Sequence, residues 1–245
     1  MEILEVDEDH ALEIVDEKCD PTSKQSLEKD MEQSMQDKIV DAQLSETGKV
    51  ELMNILNFYS NNIKTKPNYI KDYFFKNGLI KPVVTRIVKP YPVPYKLLKK
   101  AKATINDMVK AGILVKVSGA SHTHPGFFGK KPNRELRLLI NAVYLNEFLA
   151  RKAVHIPSID DLLYQVGENM FFTSLDQIGA YNQLRLDPEF FKYVCIVFPW
   201  GVYMYLRMPQ GLKTSVEAYQ GVMVELFGHL EFILICLDDL LIFST

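Results

Sequence analysis

Twelve residues near the carboxyl end, FILICLDDLLIF from Phe232 to Phe243, decide the fold of this chain. Ten of the twelve are apolar, and the two exceptions are the adjacent acids Asp238 and Asp239. A run this apolar is typical of a sheet interior, where an unpaired carboxylate is costly to bury and two adjacent carboxylates repel one another. The pattern predicts two strands, Phe232–Leu237 and Leu240–Phe243, that meet at the acid pair.

The acid pair has two interpretations. Aspartate is a common turn residue, so the pair could form a solvated hairpin turn and nothing more. The alternative is that a divalent cation compensates the two charges. A second segment bears on this choice, because MFFTSLD (Met170–Asp176) also reads as an apolar strand that ends in a carboxylate. If the two strand ends lie side by side, three carboxylates meet at one edge of a sheet.

Three carboxylates at one sheet edge predict a particular kind of metal site. Oxygen ligands without His or Cys select hard ions, so we expect Mg²⁺, with Mn²⁺ as a substitute. Two such ions, with room for water and phosphate oxygens, suit an in-line displacement at phosphorus. The meeting of Asp176, Asp238 and Asp239 is the hypothesis on which the functional prediction depends.

The remaining sequence predicts a succession of helices and strands. An extended arm with three prolines, KPYPVPY (Lys89–Tyr95), precedes a helix that begins near Leu97 and ends at Gly112. Apolar residues at 52, 55, 56 and 59 predict a helix upstream, and a short helix is expected near Leu27–Val40. The other predicted segments are strands at Ile113–Val117, Gly126–Lys130 and Leu136–Ile140, a helix through IDDLLYQV that ends at Gly167, a hairpin over 193–207 and a helix over Lys213–Leu226.

Charge is distributed unevenly along the 245 residues. Residues 1–50 carry 15 acidic against 5 basic side chains, whereas residues 51–245 carry 16 acidic against 23 basic ones. The acidic segment is poor in aromatic residues, which is typical of a disordered leader. The basic body has two interpretations: an ordinary domain behind a solvated tail, or a domain whose ligand is a polyanion.

Composition excludes several classes of protein. The three cysteines, Cys19, Cys195 and Cys236, are too few and too scattered for a disulfide framework or a zinc cluster. The acidic start lacks the basic-then-apolar order of a secretory signal. The longest uncharged apolar run, Tyr193–Leu206, has 14 residues, too few to cross a bilayer. We therefore expect an intracellular protein, cytoplasmic or nuclear, without membrane contact.

Five segments, in their order along the chain, resemble the motifs of reverse transcriptases. The resemblance is closest to the enzymes of gypsy-type long-terminal-repeat retrotransposons and retroviruses, and it runs from about Pro90 to Thr245. It implies an α+β fold with fingers and a partial palm, built from an antiparallel sheet and packed helices, without a thumb. The segments are YPVPYKLLKKAKATINDMVKAGIL, GKKPNRELRLLINAVYLN, FFTSLDQIGAYNQLRL, MPQGLKTSVEAYQ and ICLDDLLIFS.

The resemblance also implies a division of the chain. Residues 1–50 would be the acidic, mostly disordered leader, and 51–88 a helical or extended connector. Residues 89–160 would form the fingers, and 161–245 the palm, truncated after the aspartate-pair hairpin. A complete enzyme of this family continues into a thumb and usually a ribonuclease H domain, so those regions are expected in another chain or are absent.

Residue roles follow from the resemblance, motif by motif. Asp176, Asp238 and Asp239 would be the catalytic, metal-binding triad of the palm. Tyr181, preceded by Ala180, would lie under the sugar of the incoming nucleotide, where its ring disfavours a 2′-hydroxyl. The other nucleotide contacts would come from Gln210 and Gly211 in the second palm motif and from the fingers cations Lys130 and Arg137.

These nucleotide-binding roles have simpler alternatives. Lys130 could belong to an ordinary basic turn, Arg137 could be a surface charge on a strand, and Tyr181 could be a core residue. The chemistry agrees with the roles, since an arginine fork and a lysine point charge are the usual partners of phosphate oxygens.

The activity that the resemblance implies is an RNA-directed DNA polymerase. It would extend a primer 3′-hydroxyl on an RNA or DNA template with dNTPs and two Mg²⁺ ions. The expected truncation and an altered fingers motif favour an alternative, a catalytically inactive remnant or a domesticated nucleic-acid-binding module, whereas the intact carboxylates and Gln210 speak against it. Two positions depart from the family pattern. Cys236 stands where the family has an aromatic residue, and Asn141, Ala142 and Val143 stand where it has an aspartate, an aromatic residue and an arginine.

Overall fold

A computed structural model describes residues 44–59, 68–71, 73–130, 132 and 135–245 of the chain. Most of the predicted leader, with the helix expected near Leu27–Val40, lies outside these residues. The first described helix, α1 (Glu46–Phe58), crosses the predicted boundary between leader and connector at residue 50. It begins before that boundary because Ser45 caps it: the Gly48 N–H donates to Ser45 Oγ at 3.1 Å.

Among the other elements of the described residues, those predicted from the sequence occur in the predicted order, whereas three short elements and two 3₁₀ helices were not predicted. The helices are α2 (Tyr95–Lys110), α3 (Val143–Asn146), α4 (Ile159–Val166) and α5 (Ser215–Phe227). The strands are β1 (Phe74–Phe75), β2 (Leu114–Val117), β3 (His124–Lys130), β4 (Leu136–Ile140), β5 (Phe171–Asp176), β6 (Arg185–Leu186), β7 (Cys195–Phe198), β8 (Gly201–Tyr205), β9 (Ile233–Cys236) and β10 (Asp239–Ser244). Two 3₁₀ helices span Ala180–Gln183 and Pro188–Tyr193. The strands and helices predicted after the proline-rich arm are thus confirmed to within a few residues.

The described strands form three sheets. The largest has the strand order β2-β8-β7-β3-β4, a smaller one has the order β5-β10-β9, and β1 pairs with β6. The pairs inside the β5-β10-β9 sheet are antiparallel, as predicted, whereas β3–β7 and β1–β6 are parallel. The predicted α+β class is confirmed, with a larger sheet that mixes the two strand directions.

Strand β3 joins two parts of the large sheet. Its first residues, His124 and Pro125, pair with β7, and its later residues pair with β4. Gly126 lies at this change of partner, directly under an aromatic ring. A Cβ atom at Gly126 would lie 2.4 Å from Cζ of Phe198, so a side chain there would require the Phe198 ring to move.

Helix α2 supplies the core beneath the large sheet. Ala101 and Ile105 on its inner face are fully buried, and the helix contacts β2 and β4. It ends as predicted, since Gly112 takes a left-handed φ of +62° just after the last turn. Within the described residues, no helix combines the length and the apolar character needed to cross a bilayer.

Helix α5 packs against β9 of the small sheet. Leu234, Ile235 and Leu240 of that sheet are buried, whereas all six residues of β5 are exposed. Strands β5 and β9 are the two edges of this sheet, and the difference in burial follows from the helix, which covers β9 and not β5. The helix therefore holds the aspartate-pair hairpin from one side and leaves the outer strand open.

Candidate active site

Strand register brings the three predicted carboxylates to one edge of the small sheet. Asp239, the first residue of β10, lies directly opposite Asp176, the last residue of β5. Asp238 immediately precedes Asp239 in the turn, and the Gln177 N–H donates to the Asp238 carbonyl at 3.2 Å. Residues 63 positions apart in the sequence are thus neighbours across the ladder, as the hypothesis of a common edge required.

The backbone brings the three aspartates together, but their side chains do not point to one common position. Asp176 and Asp239 are exposed and Asp238 is half-buried. In the part of the chain that the structure describes, no three His, Cys, Asp or Glu side chains form a group that could hold a metal ion. The donor set, three carboxylates with no nitrogen or sulfur, fits a hard divalent cation, and the register fits a shared site. The metal site itself stays a prediction.

Helix α5 holds both strand ends that carry these acids. The buried Gln220 accepts a hydrogen bond from the Leu237 N–H at 2.8 Å and donates to the Ile235 carbonyl at 3.1 Å. The adjacent Tyr219 hydroxyl donates to the side-chain carbonyl of Gln177, the residue after Asp176. Two consecutive residues of one helix therefore contact the two chain segments of the candidate site.

Two tyrosines lie near Asp238, Tyr219 on α5 and Tyr181 in the 3₁₀ helix that follows β5. The rings of Tyr181 and Tyr219 meet edge to face with centroids 5.6 Å apart. Burial raises the pKa of Tyr181, the nearby Asp238 charge raises it further, and Arg137 lowers it. Burial, followed by Asp238 and Tyr181, also raises the pKa of Tyr219. Both hydroxyls therefore keep their protons at neutral pH, and Asp238 and Arg137 both act on Tyr181.

The predicted fingers cations lie together on the β3–β4 hairpin. Lys130 is opposite Leu136, Arg137 is opposite Gly129, and both cations are exposed. The effect of Arg137 on the Tyr181 pKa places its charge near the palm residues. Arg137 is exposed, as expected if it is a surface charge on a strand. Its charge also lowers the pKa of Tyr181, a predicted site residue.

Ala180 and Tyr181 begin the 3₁₀ helix that follows β5. Gly179, with φ +62°, turns the chain into this helix, and a left-handed conformation of this kind favours glycine. Tyr181 is half-buried and packs against the core, as its alternative interpretation predicted. Ala180 is only 3% exposed, so little of its surface is available to a ligand.

The loop with Gln210 and Gly211 lies against the end of β4. The Ile140 N–H donates to the Gln210 carbonyl at 3.3 Å, and Gly211 takes a φ of +125°. Asn146 of α3 clamps this loop, since its Nδ2 donates to the Gly211 carbonyl at 3.0 Å and its Oδ1 accepts from the Lys213 N–H at 2.8 Å. The second palm motif is therefore held by a side chain of the fingers motif.

Sequence reasoning missed the side chains that hold the site together. Gln220, Tyr219 and Asn146 were not among the predicted site residues. The one available signal was Gln220, a glutamine inside the otherwise apolar stretch AYQGVMV. A polar residue at a core position of a helix implies a specific partner.

The departures from the family pattern have local explanations. Asn141 donates to the Tyr91 hydroxyl at 2.7 Å, which ties the end of β4 to the proline-rich arm. Ala142 is buried, and Val143 is 70% exposed at the position of the family's arginine. Cys236 lies opposite Asp239 in the hairpin. Where the family pattern has an aspartate and an arginine, this chain therefore has a neutral hydrogen bond from Asn141 and an exposed Val143.

Comparisons with known proteins agree with these motifs. Residues 98–245 match the family model described as reverse transcriptase (RNA-dependent DNA polymerase). The retrovirus-related Pol polyprotein from transposon 297 of Drosophila melanogaster is 29% identical over 164 residues, covering 64% of this chain and 15% of that protein. The transposon Tf2-3 polyprotein of Schizosaccharomyces pombe is 29% identical over 188 residues, covering 75% of this chain and 14% of that protein.

Solved structures give the same fold. The native prototype foamy virus protease-reverse transcriptase matches with a TM-score of 0.69 at 21% identity, covering 87% of this chain and 29% of that one. The foamy viral protease-reverse transcriptase in complex with double-stranded DNA matches with a TM-score of 0.72 at 18% identity, covering 87% and 38%. These likenesses confirm the predicted fold, and the chain spans well under half the length of the proteins it matches.

Proposed function

This chain belongs to the reverse transcriptase family, and from that premise we propose that it carries the nucleotidyl-transfer site of an RNA-directed DNA polymerase. The observation that carries the proposal is the register of Asp239 with Asp176, beside Asp238, inside the matched residues 98–245. We assign residues 89–160 to the fingers and 161–245 to the palm. The reaction joins a dNTP to a primer 3′-hydroxyl, which attacks the α-phosphorus as pyrophosphate leaves.

The family generally uses divalent metals, and Asp176, Asp238 and Asp239 are the residues that would hold them here. Two Mg²⁺ ions, when bound, would neutralise the negative charge that develops at the phosphorus and would lower the pKa of the attacking hydroxyl. The chain's own contribution is to place three carboxylates at one sheet edge. Tyr219 and Gln220 of α5 hold the two segments that carry them.

Nucleotide binding in this proposal falls to the residues around the carboxylates. Arg137 and Lys130 bind the triphosphate oxygens from the β3–β4 hairpin, because both are exposed and positively charged. Tyr181 stays protonated and presents a rigid ring that excludes a 2′-hydroxyl, which selects dNTPs. Gln210 and the Gly211 backbone complete the pocket from the loop that Asn146 clamps.

The proposed macromolecular partner is a template–primer of RNA or DNA. Residues 51–245 carry 23 basic against 16 acidic side chains, which suits a polyanion. The foamy viral enzyme was solved with double-stranded DNA and with an RNA/DNA hybrid. The chain would bind such duplexes through the phosphates and act inside the cell, where dNTPs and RNA are available.

A second candidate function is a nucleic-acid-binding module without turnover. Val143 and Asn141 remove the charge pair of the fingers, and Cys236 replaces the aromatic residue before the aspartate pair.

Primer extension separates the two candidates. The full chain is incubated with a primed RNA template, dNTPs and Mg²⁺, and Asp238→Asn, which keeps the side-chain shape and removes the charge, is the matched control. The polymerase proposal expects extension that Asp238→Asn lowers by at least about a hundredfold, as for loss of a metal ligand. Tight, salt-sensitive binding of the primed template with no extension by either protein would instead establish the binding module.

A further inference from the structure

The tip of the aspartate-pair hairpin has an uncommon backbone conformation. Leu237 has a φ of +58°, the only described residue other than glycine with a positive φ. In this region the Cβ of an L-residue crowds the following carbonyl, so leucine is disfavoured. The residue next in the chain is Asp238, and any relaxation of Leu237 therefore moves the acid pair.

Gln220 holds this conformation from the neighbouring helix. Its Oε1 accepts from the Leu237 N–H at 2.8 Å, and its Nε2 donates to the Ile235 carbonyl at 3.1 Å. The side chain is 1% exposed, so water does not compete for either hydrogen bond. A single buried amide thus contacts the backbone on both sides of Cys236.

The opposite strand end is tied to the same turn of the helix. Tyr219 donates to the Gln177 side chain, and the Gln177 N–H donates to the Asp238 carbonyl at 3.2 Å. Asp176 precedes Gln177. The distance between Asp176 and the aspartate pair is therefore constrained from α5 as well as by the strand ladder.

We propose that Gln220 is a positioning residue, which holds Leu237 in its left-handed conformation and so places Asp238 and Asp239 beside Asp176. Gln220 touches neither substrate nor metal and acts only through the hairpin backbone. The expected effect on the affinity of the carboxylates for a divalent cation rests on the proposed function. The expected effect on the conformation of Leu237 depends only on the two hydrogen bonds of Gln220.

Two readouts on the full chain test the inference without requiring turnover. Hydrogen exchange of the Leu237 amide reports whether Gln220 holds the tip, and the free Mn²⁺ signal in electron paramagnetic resonance reports the affinity of the carboxylates. Gln220→Met keeps the length of the side chain and removes both hydrogen bonds. We expect it to speed exchange at Leu237 and to weaken Mn²⁺ binding, each by about tenfold, as outer partners of metal ligands do.

Two further variants give the controls. Val222→Ala removes buried volume from the same helix and should change neither readout at a temperature where the protein is folded. Leu237→Gly adopts a positive φ without strain, so adding it to Gln220→Met should recover part of the Mn²⁺ affinity. Gln220→Asn, which shortens the reach of the amide, replaces Gln220→Met if that variant does not fold.

The outcomes for Gln220 and for the proposed function are distinguishable. If Gln220→Met leaves Leu237 protected, or exposes it without weakening Mn²⁺ binding, the positioning role is wrong. If the wild-type chain binds no Mn²⁺, the proposed metal site fails. In that case, faster hydrogen exchange of the Leu237 amide in Gln220→Met still supports the claim that Gln220 fixes the backbone of the hairpin tip. Unchanged exchange of that amide would contradict the claim.

Discussion

Gly211 shows how a single residue sets the geometry of a loop at the candidate site. Its φ of +125° lies in a region that side chains rarely adopt, and a Cβ atom there would lie 2.5 Å from the Ile140 carbonyl oxygen. That contact is with backbone, which cannot swing away as a flexible side chain can. The neighbouring Gln210 carbonyl accepts from the Ile140 N–H, so the loop and the end of β4 are joined at this residue.

We predict that Gly211→Ala destabilises the chain by about 1–3 kcal/mol, because both the backbone conformation and the contact with Ile140 oppose a methyl group. The measurement is the free energy of unfolding in urea. Gly119→Ala is the matched control, since nothing lies within 4 Å of a Cβ built at Gly119. Equal stability of the two variants would contradict the close approach at Gly211.

At the scale of elements, a pair of buried histidines connects β3 to the segment that precedes α2. The Arg86 N–H donates to Nδ1 of His122, and the Val88 N–H donates to the hydroxyl of Thr123. His122 Nε2 lies 3.1 Å from Nε2 of His124. Burial lowers the pKa of His122 to about 4, helped by His124 and the Arg86 charge. The contact between these two segments therefore requires a neutral His122.

We predict that the chain loses stability as the pH falls from about 6.5 toward about 4. An unfolded His122 takes up a proton near its ordinary pKa, whereas the folded one resists protonation until much lower pH. The unfolded state thus binds more protons in this window, so folding weakens as the pH drops through it. Burial also lowers the pKa of His124, which acts in the same direction.

Thermal unfolding at pH values across this window measures the effect. His122→Gln, which keeps a hydrogen-bond acceptor without titrating, should flatten the pH dependence of Tm. The exposed His229→Gln serves as the control and should retain the full dependence. If His122→Gln loses as much Tm on acidification as the wild type, His122 is not the source.

At the scale of the whole molecule, charge separates an acidic beginning from a basic body. The 23 basic side chains of residues 51–245 include lysines on the exposed face of α2 and the cations of the β3–β4 hairpin. A surface of this kind binds nucleic acid mainly through phosphates, with release of counterions. Binding of that type depends on salt and is nearly independent of base sequence.

We predict that the chain binds RNA/DNA hybrid with an affinity that falls steeply with salt. A protein that contacts several phosphates loses about a thousandfold or more in affinity between about 50 and about 200 mM salt. Fluorescence anisotropy with two hybrids of unrelated sequence measures both properties. A weak salt dependence, or a strong preference for one sequence, would contradict a phosphate-based interface.

Local pattern was sufficient to predict most of the fold. The apolar runs on either side of Asp238–Asp239 predicted two strands, and Gly112 predicted the end of α2, because both signals act within a few residues of the chain. From the sequence, the edge that gathers Asp176 with the aspartate pair was a hypothesis, and the register of Asp239 with Asp176 came only with the structure. The start of α1 at Glu46 was not predicted, because Ser45 caps a helix whose first turn belongs to the acidic segment.

What only the tertiary structure decided is which distant groups hold the site. Gln220 reaches Leu237, Asn146 reaches Gly211 and Arg137 acts on Tyr181 across long stretches of sequence, and no local periodicity encodes such partners. The directions of the carboxylate side chains were also decided by the tertiary structure. The strand ladder fixes the backbone positions of Asp176 and Asp239 but not the rotamers of their side chains. By itself, then, the sequence determined the strands, the helices and the carboxylates they carry. Packing of α5 and the clamped loops determined their arrangement, because a hydrogen bond between remote segments exists only after the chain has folded.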